Sequence, residues 1–165
     1  TVYGSGLMGR GIAQVVAAAG LNVTLFDLNK EVLDSAKSAI HSSLSKIASK
    51  QFKPEQTREA KDYVDGTMSR IRDSTKVEQS AEGADLHIEA IVENMQLKRD
   101  MLGRILPVLK PTAIVSSNTS SLRVAEIFRD YPAQIRPRIA GLHFFNPVPM
   151  MKLVEVVRAD GTSEE

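Results

Sequence analysis

The sequence of 165 residues contains no cysteine and no tryptophan. Without thiols there is no disulfide staple, no thiolate metal centre and no cysteine nucleophile. Aromatic residues make up only 5% of the chain, so aliphatic side chains must build most of the core. Charge of either sign is not in excess: 21 Lys and Arg stand against 20 Asp and Glu, a net charge of +1. That balance carries no electrostatic footprint for nucleic acid or for an anionic membrane surface, and neither partner is expected. No apolar run approaches the ~18 residues that span a bilayer. The opening residues read neither as an Arg-rich presequence nor as a signal peptide. A mature imported protein lacks these too, so the compartment stays open at this stage. His41, His87 and His143 are too far apart to form a local ligand motif, and no metal site is expected.

What is present is ordinary for a globular protein, with 42% hydrophobic and 25% charged residues. At ~150 residues per domain the length corresponds to one domain. Thr1-Val2-Tyr3 is a β-prone stub that runs into Gly4-Ser5-Gly6-Leu7-Met8-Gly9-Arg10-Gly11. Ile12, Val15, Val16 and Ala19 follow at helical spacing, stopped by Gly20, and residues 21–27 (LNVTLFD) form an apolar, β-branched strand. Asn29 caps a long helix with the stripe Leu33, Ala36, Ile40, Leu44 and Ile47. Pro54 is expected to open a second helix, making a helical hairpin of about residues 30–70. Strands are expected near Ile71, over 86–92, 113–117, 139–145 and 153–158, with helices over 96–109 and 122–128. Alternating strands and helices predict an α/β fold of the Rossmann type: a doubly wound, mostly parallel sheet with the hairpin inserted. Residues 1–158 form that domain, and the polar stretch 159–165 reads as the start of a linker to something further.

Three glycines spaced as Gly4-x-Gly6-x-x-Gly9 mean little alone, but here they follow a strand, open a helix and sit in a βαβ unit. Gly4 then makes the tight turn, Gly6 admits a pyrophosphate close to the backbone, and Gly9 lets helix and strand pack. Free N–H groups and the helix dipole favour the phosphates there. Asp27 closes the second strand about 20 residues later, where a carboxylate holds the adenosine ribose and repels a 2′-phosphate. NAD is therefore the expected cofactor. A second constellation is His143, with Asn146 just after it and Glu155 12 residues further on, across a Pro-rich turn. A carboxylate on one imidazole nitrogen fixes the tautomer and stabilises the imidazolium. That is the equipment of a general base for oxidising an alcohol. His41 lies on the polar face of the long helix and His87 inside a strand, and both read as structural.

With these residues in place the chain resembles the NAD-binding domain of L-3-hydroxyacyl-CoA dehydrogenases of fatty-acid β-oxidation. The matching segments are GSGLMGRGIAQ, IEAIVENMQLK, SSNTSSL and GLHFFNPVPMMKLVEV, in order over nearly the whole chain. The hairpin with Lys46, Lys50 and Lys53 is similar to the mitochondrial enzyme of short and medium chains. The resemblance implies NAD-dependent oxidation of an L-3-hydroxyacyl-CoA to the 3-ketoacyl-CoA. It implies His143 as catalytic base, Glu155 as its orienting partner, and Asn146 and Ser120 near nicotinamide and substrate. It adds Ser5, Leu7, Met8, Glu93 and Lys98 to the NAD site, and Ser43, Lys50 and Ser120 to the contacts with coenzyme A. It also implies a mitochondrial matrix location and a C-terminal helical domain, absent from these residues, that forms a homodimer and covers the active site. Without that domain the piece is expected to be inactive. Two other functions fit the residues: a related dehydrogenase acting on a hydroxy acid or sugar acid without coenzyme A, and a non-catalytic dinucleotide-binding module.

Overall fold

The computed structural model describes residues 1–164. Among these residues seven strands form one sheet: β1 (Val2–Tyr3), β2 (Val23–Phe26), β3 (Ile71–Ser74), β4 (Leu86–Glu89), β5 (Ile114–Ser117), β6 (Ile139–Phe144) and β7 (Val154–Arg158). Their order is β3-β2-β1-β4-β5-β6-β7. All neighbours pair in parallel except β6 and β7. The order reverses between β1 and β4, and doubly wound sheets bind their ligands in the crevice beyond the strand ends at such a point. The Rossmann-type fold expected from the alternation of elements is the fold observed.

Among the described residues six α-helices cover the sheet: α1 (Leu7–Ala18), α2 (Lys30–Gln51), α3 (Thr57–Ser69), α4 (Val77–Ala81), α5 (Met95–Ile105) and α6 (Val124–Ile127). On one side α1 and α2 bury Ile12, Ala13, Ala17, Leu33, Ala36, Ile40, Leu44 and Ala48 against Val2, Val23, Leu25 and Ile88. On the other, Leu102, Ile105, Ile127 and Phe128 pack with Tyr3, Phe26, Val115 and Ile139. The α2 stripe is the expected one except at its end, where Ala48 is buried and Ile47 is only half-buried. Asn29 caps α2 by accepting the Glu31 N–H at 2.8 Å, as its residue type predicts.

Four local expectations are corrected. Pro54 does not open α3, which begins at Thr57; the turn before it is closed by Lys53 N–H donating to Gln56 Oε1 at 3.0 Å. The strand expected over 86–92 ends at Glu89, because the Glu89 carboxylate accepts the Ile91 N–H at 2.8 Å and turns the chain out of the ladder. The helix expected over 96–109 starts at Met95 and gives way to a 3₁₀ turn at Leu106–Val108, with Pro107 inside it. The helix expected over 122–128 shrinks to Val124–Ile127, since the Thr119 hydroxyl takes the Leu122 N–H at 2.9 Å in a preceding loop. Beyond β7, Thr162 Oγ1 donates to Ile139 O at 2.5 Å and accepts the Ala159 N–H at 2.9 Å, folding the tail back on β6.

Candidate functional site

The glycine loop lies at the sheet's reversal point. Gly4 has φ +94°, and a Cβ there would stand 2.7 Å from Ala90 O on the chain leaving β4. A Cβ on Gly9 would overlap Gly4 O at 1.7 Å. Around Gly6 nothing lies within 4 Å, so the loop is open on the side where a ligand would approach. No side chain caps the start of α1. Its first-turn N–H groups are the orphan donors that anions satisfy at helix N-termini. Asp27 follows β2 directly, and its Oδ2 accepts both the Ser5 N–H at 2.9 Å and the Ser5 hydroxyl at 2.8 Å. The loop and its acid are thus one hydrogen-bonded unit, and they fit a dinucleotide.

A buried charge network supports the next wall. Lys98 is 1% exposed and Glu89 is fully buried. Lys98 Nζ donates to Glu89 Oε1 at 2.6 Å and lies 3.1 Å from Glu93 Oε2. The other Glu89 oxygen accepts the Ser117 hydroxyl at 2.5 Å. Partial burial works to raise the Glu93 carboxyl. Hydrogen bonds from Thr119, Lys98 and Ser121 outweigh it and hold the group down at about 2.

His143 and Glu155 face each other as paired residues of β6 and β7. His143 Nδ1 and Glu155 Oε2 are 2.9 Å apart, and the Phe145 ring packs 4.5 Å from the imidazole, centroid to centroid. The Nδ1 contact leaves Nε2 for another partner. A crevice of about 330 Å³ gathers Met8, Glu93, Lys98, Ser120, His143 and Asn146. Ser120 and His143 also line a second hollow, together with Glu155. Leu7, Ser43 and Asn146 share a third cleft, and Ser43 with Lys50 lines a fourth of about 740 Å³. Shared lining residues therefore link Leu7 and Met8 of the glycine loop past His143 to the outer face of α2, while Gly4, Ser5, Gly6, Gly9 and Asp27 line none of these four hollows. Ser43 and Lys50 stand at the far end, away from Glu93 and Lys98.

Sequence reasoning missed Glu89 and Asn118. An acid inside an otherwise apolar strand was a usable signal for Glu89, since burying a carboxylate demands a cationic partner. Asn118 gave none. Its N–H donates to Glu89 O at 2.7 Å, and its Oδ1 accepts the Phe144 N–H at 2.8 Å, 26 residues away. His87 is structural as expected, but it has a partner: its Nδ1 lies 2.8 Å from the Tyr3 hydroxyl.

A doubly wound sheet with an uncapped glycine loop and an acid after its second strand defines the class of dinucleotide-binding domains. The chain belongs to the family of 3-hydroxyacyl-CoA dehydrogenase NAD binding domains, whose model matches residues 1–165. It is 46% identical over 164 residues to a probable 3-hydroxyacyl-CoA dehydrogenase of Caenorhabditis elegans, covering 99% of this chain and 52% of that protein. It is 44% identical over 165 residues to the mitochondrial hydroxyacyl-coenzyme A dehydrogenase of Homo sapiens, covering 100% of this chain and 52% of that protein. The crystal structure of 3-hydroxybutyryl-CoA dehydrogenase from Escherichia coli superposes with a TM-score of 0.87 at 37% identity, over 99% of this chain and 33% of that one. The chain spans about half the length of the curated relatives it matches.

Proposed function

We propose that the protein carrying this domain oxidises the 3-hydroxyl of an L-3-hydroxyacyl-CoA to a ketone, with NAD as hydride acceptor. The observation that carries the reading is the His143–Glu155 contact of 2.9 Å, with His143 lining the same crevice as Met8 of the glycine loop. Glu155 accepts a hydrogen bond from the Nδ1–H, which keeps that proton on Nδ1 and so presents Nε2 as the base. Nε2 accepts the hydroxyl proton as the C3–H bond gives up its hydride, and the imidazolium formed is stabilised by the carboxylate across the strand pair. NAD, when bound, supplies the hydride-accepting ring and nothing else is asked of it. The loop N–H groups, Asp27 and the wall of Glu93 and Lys98 hold the cofactor. Ser120 and Asn146 orient the reacting end of the substrate. Ser43 and Lys50 hold coenzyme A, a hydroxyl and a cation on an exposed helix face suiting its phosphates.

A helical domain beyond residue 158 closes the crevice and forms a homodimer, and the protein works in the mitochondrial matrix. Its mitochondrial mammalian relatives at 44% identity support that location. The direct test is reduction of acetoacetyl-CoA with NADH. The reading expects turnover with acetoacetyl-CoA and none with free acetoacetate. Equal rates on the free acid would favour a dehydrogenase without coenzyme A, and no rate on either would leave a non-catalytic module.

A further inference from the structure

We propose that Asn118 is a further substrate-contacting residue: its carboxamide oxygen pins the backbone beside His143 while its amide hydrogens are offered to the substrate's 3-oxygen. The proposal rests on the function given above and deepens it. Asn118 stands at the carboxyl end of β5, and its own N–H is tied to Glu89 O at 2.7 Å, so its backbone is fixed to the neighbouring strand. The side chain then crosses to β6 and meets Phe144 N at 2.8 Å. A backbone N–H can only donate, so the carboxamide atom it meets is the oxygen. The orientation of the amide follows without ambiguity, and the NH₂ group forms the other end.

That NH₂ group has no protein acceptor among the described residues, and Asn118 lines the crevice shared by Ser120, His143 and Asn146. A half-buried donor left open in a ligand crevice is a group waiting for a ligand oxygen. The site supplies a reason for which oxygen. Asn118 bonds the residue directly after His143, and both residues line the same crevice. The atom that surrenders a proton to Nε2 must lie within hydrogen-bond reach of that same ring. As the proton leaves, negative charge gathers on the 3-oxygen, and a fixed neutral donor stabilises it without competing for the proton. Asn118 neither gains nor loses a proton in the step.

The carboxamide oxygen and the NH₂ group are separable by mutation. Asn118→Asp keeps an oxygen for the Phe144 N–H and removes the donor; Asn118→Ala removes both and adds no charge. In the whole protein, kcat for acetoacetyl-CoA reduction should fall ~10²–10³-fold in both variants, the loss typical of one missing oxyanion donor. Asn118→Asp should melt near the wild type, Asn118→Ala earlier, and NAD affinity measured by calorimetry should stay within about twofold in both. Wild-type kcat in either variant would overturn the proposal and leave Asn118 a backbone clamp. A loss confined to NAD affinity would overturn it too, giving the donor to the cofactor. A wild-type protein inactive on acetoacetyl-CoA would contradict the underlying function as well, which separates the two failures.

Discussion

Two individual side chains make the domain sensitive to acid. His87 is fully buried, and burial pushes its imidazole down from 6.5 to about 4. Its Nε2 has no hydrogen-bond partner among the described residues. A histidine depressed in the folded state stabilises the fold fully above its unfolded value, and that contribution is lost as pH falls toward the folded value. For His87 the window runs from about 6.5 down to about 4, and the loss reaches ~3 kcal/mol at its acid end. Glu93, held at about 2, adds a further loss as pH falls below 4.5. Urea denaturation at pH 7 and pH 5 should therefore show a clear drop in stability. His87→Phe should flatten the pH dependence between those values, and an unchanged slope in that variant would remove His87 from the account. At the glycine loop, Ser5 holds Asp27 by two bonds to one oxygen. Asp27→Ala should weaken NAD and narrow the preference for NAD over NADP, as read from the two Kd values; an unmutated protein that binds both equally would sink the assignment.

The placement of each candidate site residue was legible where it depended on neighbours in sequence. Gly4, Gly6, Gly9 and Asp27 belong to one βαβ unit, and His143 and Glu155 to one hairpin, so spacing alone located them. Asn118 and Glu89 take their roles from partners on other elements. Asn118 meets a residue 26 positions on, and Glu89 meets Lys98 and Ser117. No periodicity encodes such contacts.

Among the elements, the inner strands and the long helices followed the pattern of apolar residues because burial sets both, whereas β7 has its apolar residues exposed. Short pieces did not follow the pattern. α4 has five residues, too few to display a helical period. Pro54 carried a helix-start signal that a local turn absorbed. The glycines within elements give a clean test of packing. Gly66 in α3 and Gly103 in α5 have nothing within 4 Å of an added Cβ. Alanine at either should raise stability by ~0.5–1 kcal/mol through helix propensity. Gly141 in β6 is the opposite case, for a Cβ would meet Val157 Cβ at 2.9 Å and Val124 Cγ2 at 3.1 Å. Gly141→Ala should cost ~1–3 kcal/mol by overpacking β6 between β7 and α6. Thermal melts that ranked the three variants otherwise would show the packing described here to be wrong.

For the whole molecule, the proposed function makes the surface from the glycine loop to α2 one wall of a crevice that a further domain completes. Residues 1–165 alone should bind NAD, since the loop, Asp27, Glu93 and Lys98 are all present, but should turn over acetoacetyl-CoA negligibly. Misplacement of the reacting atoms by ~1 Å costs ~10²-fold, and one wall does not position an acyl-CoA. A rate near that of the longer protein would show the remainder dispensable. The central claim is narrower: His143 is the base and Glu155 makes it one. The measurement that reaches it most directly is the pH dependence of kcat in the whole protein with His143→Gln and with Glu155→Gln. His143→Gln should lower kcat ~10²–10⁴-fold with NAD affinity unchanged. Glu155→Gln should lower kcat and displace the acid limb of the profile, because the imidazolium has lost its anionic partner. A Glu155→Gln protein with full rate and an unmoved profile would contradict the account.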